Sequence, residues 1–194
     1  FGVEVNTQTN LDGSYIASVT GGVTLQANDI IVPRDPSSAA FLIVAGLITK
    51  NSQLLLPTIG MSPERIGLIT TLREMGGRIE ISNQREVGGE QVADIKVSSS
   101  QLKGIVIPSD RAPSMIDEYP ILCIAAAMAT GPSLMENIGE LRHKEADRIA
   151  IMAKGLRLAG VTVDETETSM RVYGANTEKG DAYIKGGFNI SSEH

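Results

Sequence analysis

The chain has no tryptophan, three phenylalanines and four tyrosines in 194 residues. Its core must therefore be aliphatic, made of Leu, Ile, Val, Met and Ala. It has one cysteine, Cys123, so no internal disulfide can staple the fold, and a reducing cytoplasm is the expected location. Cys123 sits in an apolar run and reads as a small buried hydrophobe, not a nucleophile. With two histidines and no Cys/His cluster at zinc spacing, no metal is expected. No Walker loop or dinucleotide fingerprint calls for a nucleotide cofactor. Positive charge is also in deficit: the formal net charge is -6, which argues against a general nucleic-acid binder. No apolar run approaches the roughly 18 residues that span a bilayer; the longest candidate, 39–49, is too short, so no membrane partner is expected. No secretory signal opens the chain, and Phe1-Gly2-Val3-Glu4-Val5 reads as the middle of a domain.

What is present is ordinary for a packed globular chain: 42% hydrophobic and 21% charged residues, with twenty Gly and eight Pro for tight connections. Residues 1–34 read as β structure, with short β-prone stretches at 3–5, 15–19 and 30–32 separated by Asp12-Gly13 and Gly21-Gly22. At Asp35-Pro36-Ser37-Ser38 the character changes to a helix start, with a capping side chain and Pro in the first turn. The run 39–48 is apolar on nearly every side, so this helix should be buried on more than one face. A strand at 54–56 follows, then a helix capped by Ser62 with Pro63 at its first position and an apolar stripe of Ile66, Ile69, Leu72 and Met75. Strands at 78–81 and 92–97 complete the unit.

The pattern then recurs: a strand at 105–107, an all-apolar helix at 121–128, a strand at 134–135, an amphipathic helix at 142–158, and strands at 161–163 and 170–172. Thr49 matches Thr130, Ile59-Gly60 matches Ile138-Gly139, Arg65-Ile66 matches Arg148-Ile149, and Met75-Gly76-Gly77 matches Leu158-Ala159-Gly160. The period is about 80 residues, longer than that of familiar solenoids. One buried and one half-exposed helix per copy imply α/β units packed around a shared centre. The tail from Asn176 is Gly-rich and polar and lacks a closing element, so both ends read as cut.

Two segments carry unusual charge. In the first, Asp117 and Glu118 stand at the entrance of the second apolar helix. Asp117 there is either a helix cap favoured by the dipole or a general base beside a cleft. In the second, Leu141-Arg142-His143-Lys144-Glu145-Ala146-Asp147-Arg148, a single helix would place Lys144 and Arg148 on one face and make Glu145 a neighbour of Arg148. These residues are either a solvated face with weak ion pairs or an anion site, in which Arg forks onto a carboxylate and Lys acts as a point charge. The first copy has Ser62-Pro63-Glu64-Arg65 at the matching place, so the architecture does not need Lys144 and Glu145 for folding. His143 faces away and is read as solvated.

Three ordered blocks carry a family resemblance: Asp35-Pro36-Ser37-Ser38-Ala39-Ala40-Phe41, Ile116-Asp117-Glu118-Tyr119-Pro120 and Leu141 to Arg148. In kind, order and separation they resemble 5-enolpyruvylshikimate-3-phosphate synthases, and the likeness covers almost the whole chain. It implies an α/β fold of repeated units around buried helices, the inside-out α/β barrel of enolpyruvyl transferases, here incomplete. Residues 1–34 would end the second family domain. Residues 35–194 would be two of three repeat units of the first, at about 35–102 and 103–175, followed by a polar tail.

The resemblance implies transfer of the enolpyruvyl group of phosphoenolpyruvate to the 5-hydroxyl of shikimate 3-phosphate, with release of phosphate, in aromatic amino acid biosynthesis. Asp117 would contact the acceptor and take its hydroxyl proton, Lys144 would contact shikimate 3-phosphate, Arg148 would bind phosphoenolpyruvate, and Glu145 would move a proton to or from the methylene carbon. No cofactor is implied; the partners are these two small molecules, and the whole enzyme is expected to be monomeric. His143 departs from the family, where Val is common, at a position that faces away from ligands. The family's Lys-Ser and Gly-rich contacts and its late Arg and Lys fall outside this chain, so the piece alone is expected to be inactive. Two other readings are weighed beside it: a UDP-N-acetylglucosamine enolpyruvyl transferase, whose matching regions lack Lys-Glu-x-Asp-Arg, and a non-catalytic α/β repeat module. Convergence of Asp117, Lys144 and Arg148 on one surface separates the enzyme from the module.

Overall fold

The computed structural model describes residues 1–174, 184–187 and 189; the sequence-expected tail therefore lies mostly outside the described residues. The chain divides into two compact units, Phe1–Val32 and Pro33–His194.

The first unit is a hairpin. β1 (Val5–Thr9) pairs antiparallel with β2 (Tyr15–Val19), Val5 opposite Val19 and Thr9 opposite Tyr15. Its turn is closed by Ser14 carbonyl oxygen accepting from Asn10 N–H at 2.8 Å, with Gly13 at φ 82°, a conformation that disfavours a side chain. All ten strand residues are exposed. Residues 30–32, expected as a third strand, join no ladder: β propensity reports fit to a half-buried surface, and here no paired edge supplies one.

The second unit begins with α1 (Pro36–Ile48). The Asp35 carboxylate accepts from the N–H groups of Ser37 and Ser38 and from the Ser38 hydroxyl, the last at 2.7 Å, and Pro36 occupies the first turn. Pro36, Ala39, Ala40, Ile43, Val44, Gly46 and Leu47 are buried, more than a single stripe, whereas Phe41 and Leu42 stay 61% and 53% exposed. β3 (Gln53–Gly60) follows, then α2 (Gly67–Glu74), β4 (Arg78–Val87) and β5 (Glu90–Ser98). The three strands form an antiparallel sheet in the order β3-β5-β4. Arg34 bridges Ile59 in parallel at its edge.

The next segment repeats this wiring. β6 (Val106–Ile107) runs parallel to β7 (Pro132–Met135), and β8 (Thr162–Glu165) with β9 (Met170–Tyr173) completes a sheet in the order β6-β7-β9-β8. α3 (Tyr119–Ala127) and α4 (Arg148–Leu158) are its helices. Each copy therefore has one parallel edge followed by an antiparallel hairpin, and the sequence repeat is also a repeat of topology. α1 and α3 pack on each other and on the strands of their own copies, inside one aliphatic cluster that runs through both copies. Cys123 lies within it, its thiol pushed up to about 12 by burial, which suits a space-filling role.

Two helix starts differ from expectation. Ser62 does not cap a helix: its hydroxyl donates to Glu64, residues Pro63–Arg65 form a 3₁₀ turn, and α2 begins later. The single helix expected over 142–158 is broken. Gly139–His143 is a 3₁₀ turn, Lys144 is extended, and α4 starts at Arg148. The cause is Asp147, whose carboxylate caps α4 by accepting from Ala150 N–H; a short polar side chain offers the backbone an alternative to continued helix.

Arg142 holds the broken segment. Its side chain, 16% exposed, donates to Asp147 Oδ2 at 2.6 Å and reaches Glu165 Oε2 at 3.4 Å. It also donates to the carbonyls of Thr166 and Glu167 at 2.6 and 3.1 Å. One guanidinium thus ties the 3₁₀ turn and the α4 cap to the β8–β9 hairpin.

Arg142→Met is expected to destabilise the chain by about 1–2 kcal/mol, because it removes the donor shared by Asp147, Glu165 and two backbone carbonyls, and to raise hydrogen exchange across 139–147; urea melts and exchange mass spectrometry check both. Asp35→Ala should cost about 1 kcal/mol at neutral pH through the lost cap. The Ser38 hydroxyl and N–H, Arg65 and the Ser37 N–H hold the Asp35 carboxyl below its usual 3.8 despite some desolvation. A depressed carboxyl stabilises above its unfolded value and loses that stabilisation as pH falls through the folded one. The difference between wild type and Asp35→Ala should therefore shrink below about pH 3.8, as paired denaturation curves at neutral and acid pH would read out.

Candidate functional site

The site is built where the starts of α3 and α4 meet. Asp117 belongs to a 3₁₀ turn, Ile116–Glu118, directly before α3. It caps nothing: the residue at the head of α3 is Glu118, and no side-chain cap bond forms there. Asp117 instead faces the second charged segment. Its Oδ1 accepts from Arg148 Nη1 at 3.0 Å and lies 3.8 Å from Lys144 Nζ.

Arg148 is the first residue of α4. Its other terminal nitrogen, Nη2, donates to Glu145 Oε2 at 2.6 Å. Lys144 pairs with Glu140 Oε1 at 3.1 Å. All four sequence-expected residues therefore come together, although not on one helix: Lys144 and Glu145 ride on the loop between the 3₁₀ turn and α4. The two cations are about a quarter exposed and the two acids more than half exposed, with Asp117 at 57%. Hydrogen bonding from its own backbone N–H and from Arg148 holds the Glu145 carboxyl below the usual carboxylate range. Glu140, then Asp117, pushes the Lys144 ammonium above its ordinary value, so it stays protonated.

The repeat provides an internal control. In the first copy Arg65 Nη2 donates to Asp35 Oδ1 at 2.7 Å and to Ser37 Oγ at 2.9 Å. An acid before the apolar helix thus pairs in both copies with an arginine at or just before the start of the amphipathic one. Asp35 is saturated, with a cap, a hydroxyl and an arginine. Asp117 accepts only from the Arg148 guanidinium, with the Lys144 ammonium beside it. The same carboxylate–arginine pair is fixed to a helix cap in the first copy and held by side chains alone in the second.

Both copies border a pocket of about 70 Å³ lined by Ser37, Glu64, Arg65, Pro113 to Met115, Ile116, Asp117 and Glu118. Arg65 and Glu118 are site residues that the sequence reading did not single out for function. The match of Arg65 to Arg148 was the available signal for the first; for the second it was the pair of acids at the entrance of the apolar helix. No group of three or more His, Cys, Asp or Glu able to hold a metal ion occurs among the described residues. No helix among them is long and apolar enough to cross a membrane.

Such a constellation, two cations and two acids at two helix entrances, fits an anionic ligand with a proton to be moved. Comparison with known proteins narrows it. The 3-phosphoshikimate 1-carboxyvinyltransferase of Zymomonas mobilis is 51% identical over 178 residues, covering 92% of this chain and 39% of the relative. The solved EPSP synthase of Acinetobacter baumannii superposes with a TM-score of 0.88 at 40% identity, over 96% of this chain and 41% of that one. The enolpyruvyl transferase NikO of Streptomyces tendae shares the fold, with a TM-score of 0.61 at 16% identity over 88% of this chain and 37% of that one. The chain thus has an α/β fold related to enolpyruvyl transferases and spans about two fifths of the length of the curated relatives it matches. The EPSP synthase (3-phosphoshikimate 1-carboxyvinyltransferase) profile matches residues 1–186, and the chain belongs to that family.

Proposed function

We propose that this chain is part of a family-length enzyme that transfers the enolpyruvyl group of phosphoenolpyruvate to the 5-hydroxyl of shikimate 3-phosphate and releases phosphate. One observation carries the reading: Asp117 lies within 3.0 Å of Arg148 and 3.8 Å of Lys144, with Glu145 on the other arm of Arg148. An acid from one helix entrance and a basic pair from the next meet at one place.

In this reading Asp117 takes the proton of the attacking hydroxyl, and Lys144 steadies shikimate 3-phosphate near the reacting groups. The fork of Arg148 grips the carboxylate of phosphoenolpyruvate, and Glu145 serves the methylene carbon. Without ligand, the cations are held by the protein's own acids. A substrate carboxylate that takes Arg148 breaks its bonds to Asp117 and Glu145 together. Asp117 becomes free to accept a proton. Glu145 loses a main cause of its lowered pKa, and its carboxyl returns toward a range in which it can carry one. Donor binding and readiness for proton transfer are thereby coupled through one guanidinium. Cations placed in advance also stabilise the charge that develops as phosphate departs.

The domain reading accompanies this. Residues 1–34 end the second family domain, and 35–102 and 103–175 are two of three units of the first, whose third unit would close the inside-out barrel. Exposed Phe41 and Leu42 on the otherwise buried α1 support a further layer there.

In the family-length enzyme, Asp117→Asn should lower kcat by about 10²–10⁴-fold, and Arg148→Lys should raise KM for phosphoenolpyruvate roughly tenfold or more through loss of the bidentate fork; steady-state phosphate release measures both, and near-wild-type constants would sink the assignment. The 194-residue chain supplies one wall of a two-sided cleft, so purified alone it should release no phosphate above the substrate blank. Sustained release by that chain would refute the two-sided cleft.

A further inference from the structure

Asp117 is carried by a stretch that lies outside the sheet of its own copy. β6 ends at Ile107, and two 3₁₀ turns, Ser109–Ser114 and Ile116–Glu118, lead from there to α3. The first copy differs. Asp35 follows directly on Arg34, whose N–H donates to the Thr58 carbonyl at 3.0 Å and whose carbonyl accepts from Gly60 N–H at 2.9 Å. The backbone beside that acid is thereby fixed to β3.

In the second copy the support comes from the first. Arg111, in the earlier of the two turns and 17% exposed, forks onto Glu74 of α2: Nη1 donates to Oε2 at 2.6 Å and Nη2 to Oε1 at 2.8 Å. Nη1 also donates to Thr71 Oγ1 at 3.1 Å. That buried hydroxyl lies 3.3 Å from Met115 Sδ, and the Arg111 carbonyl accepts from the Ser114 hydroxyl at 2.8 Å. A further contact is steric: a methyl group on Gly67 would overlap the Ser114 hydroxyl and stand 3.0 Å from Met115 Cβ. These contacts all fall on residues 111–115, immediately ahead of the turn that holds Asp117. A bidentate guanidinium–carboxylate pair fixes direction as well as distance.

We propose that Arg111 is a positioning residue for Asp117: clamped to Glu74 and Thr71, it sets where that acid stands against the acceptor hydroxyl, and Gly67 sets how closely the turn seats on α2. The inference rests on the role given to Asp117 above. A base must lie within hydrogen-bond reach of the proton it takes, and a small misplacement from a remote change is costly. The first copy thus acts on the reaction through a helix that carries none of the reacting groups.

The test is a double-mutant cycle in the family-length enzyme. Arg111→Met should lower kcat roughly ten- to a hundredfold and leave KM for phosphoenolpyruvate within about twofold. Once Asp117→Asn has removed the base, the same change should cost less than about twofold, because nothing remains for it to position. Gly67→Ala should show the same pattern, and either variant carries the test if the other does not fold. A loss of folded protein would lower kcat equally in both backgrounds. An undiminished effect in the Asp117→Asn enzyme, or unchanged kcat in either folded single variant, therefore overturns the inference. Asp117→Asn alone separates the two readings. If turnover survives it, the proton-acceptor role falls and this inference with it; if turnover is lost while the Arg111→Met effect simply multiplies, only the positioning role falls.

Discussion

The packing of α1 against α3 is the constraint from which the site follows. Neither helix carries a charged side chain within its span, so each buries most of its surface in the common aliphatic cluster. Polar chemistry is thereby pushed to the helix ends. Ser37 at the start of α1 and Met115 to Glu118 before α3 border one pocket. Acids placed there are favoured by the helix dipoles, and an arginine from just before α2 or from the first turn of α4 reaches the acid of its own copy.

Duplication then allows divergence. In the first copy the acid is fixed by a cap, a serine hydroxyl and an arginine. In the second the helix starts two residues after the acid, through Tyr119 and Pro120, and the acid is released from capping. The loop that carries Lys144 and Glu145 exists because Asp147 starts α4 late and Arg142 anchors what precedes it. The backbone that carries Lys144 and Glu145 is thus held in place by Asp147 and Arg142.

Much of this was legible in the sequence, and the misses have physical causes. The buried helices, the Asp35 cap and the two-copy pattern could be read because they rest on local signals: unbroken apolar runs, Asp-Pro-Ser and turn glycines. The extent of the helix before Leu158 could not, because Asp147 competes as a cap within a sequence of otherwise acceptable helix formers. Asp117 could be read as cap or base; the late start of α3 settles its geometry, and only the fold brings it to Arg148. The stretch at 30–32 has strand composition without a strand partner, something a sequence window does not contain. Glu118 was visible as a charge beside an apolar helix, but its 7% exposure is a property of packing alone.

The saturation of Asp35 has a consequence for redesign. Writing the entrance of α1 over that of α3, Asp-Pro-Ser-Ser in place of Asp-Glu-Tyr-Pro, would supply the hydroxyl and amide donors that the second acid lacks. The helix would gain a firmer start, and its carboxylate would be locked inward with no lone pair left to offer. Sturdiness and reactivity are alternative uses of the same two oxygens, and the two halves of this chain have chosen differently.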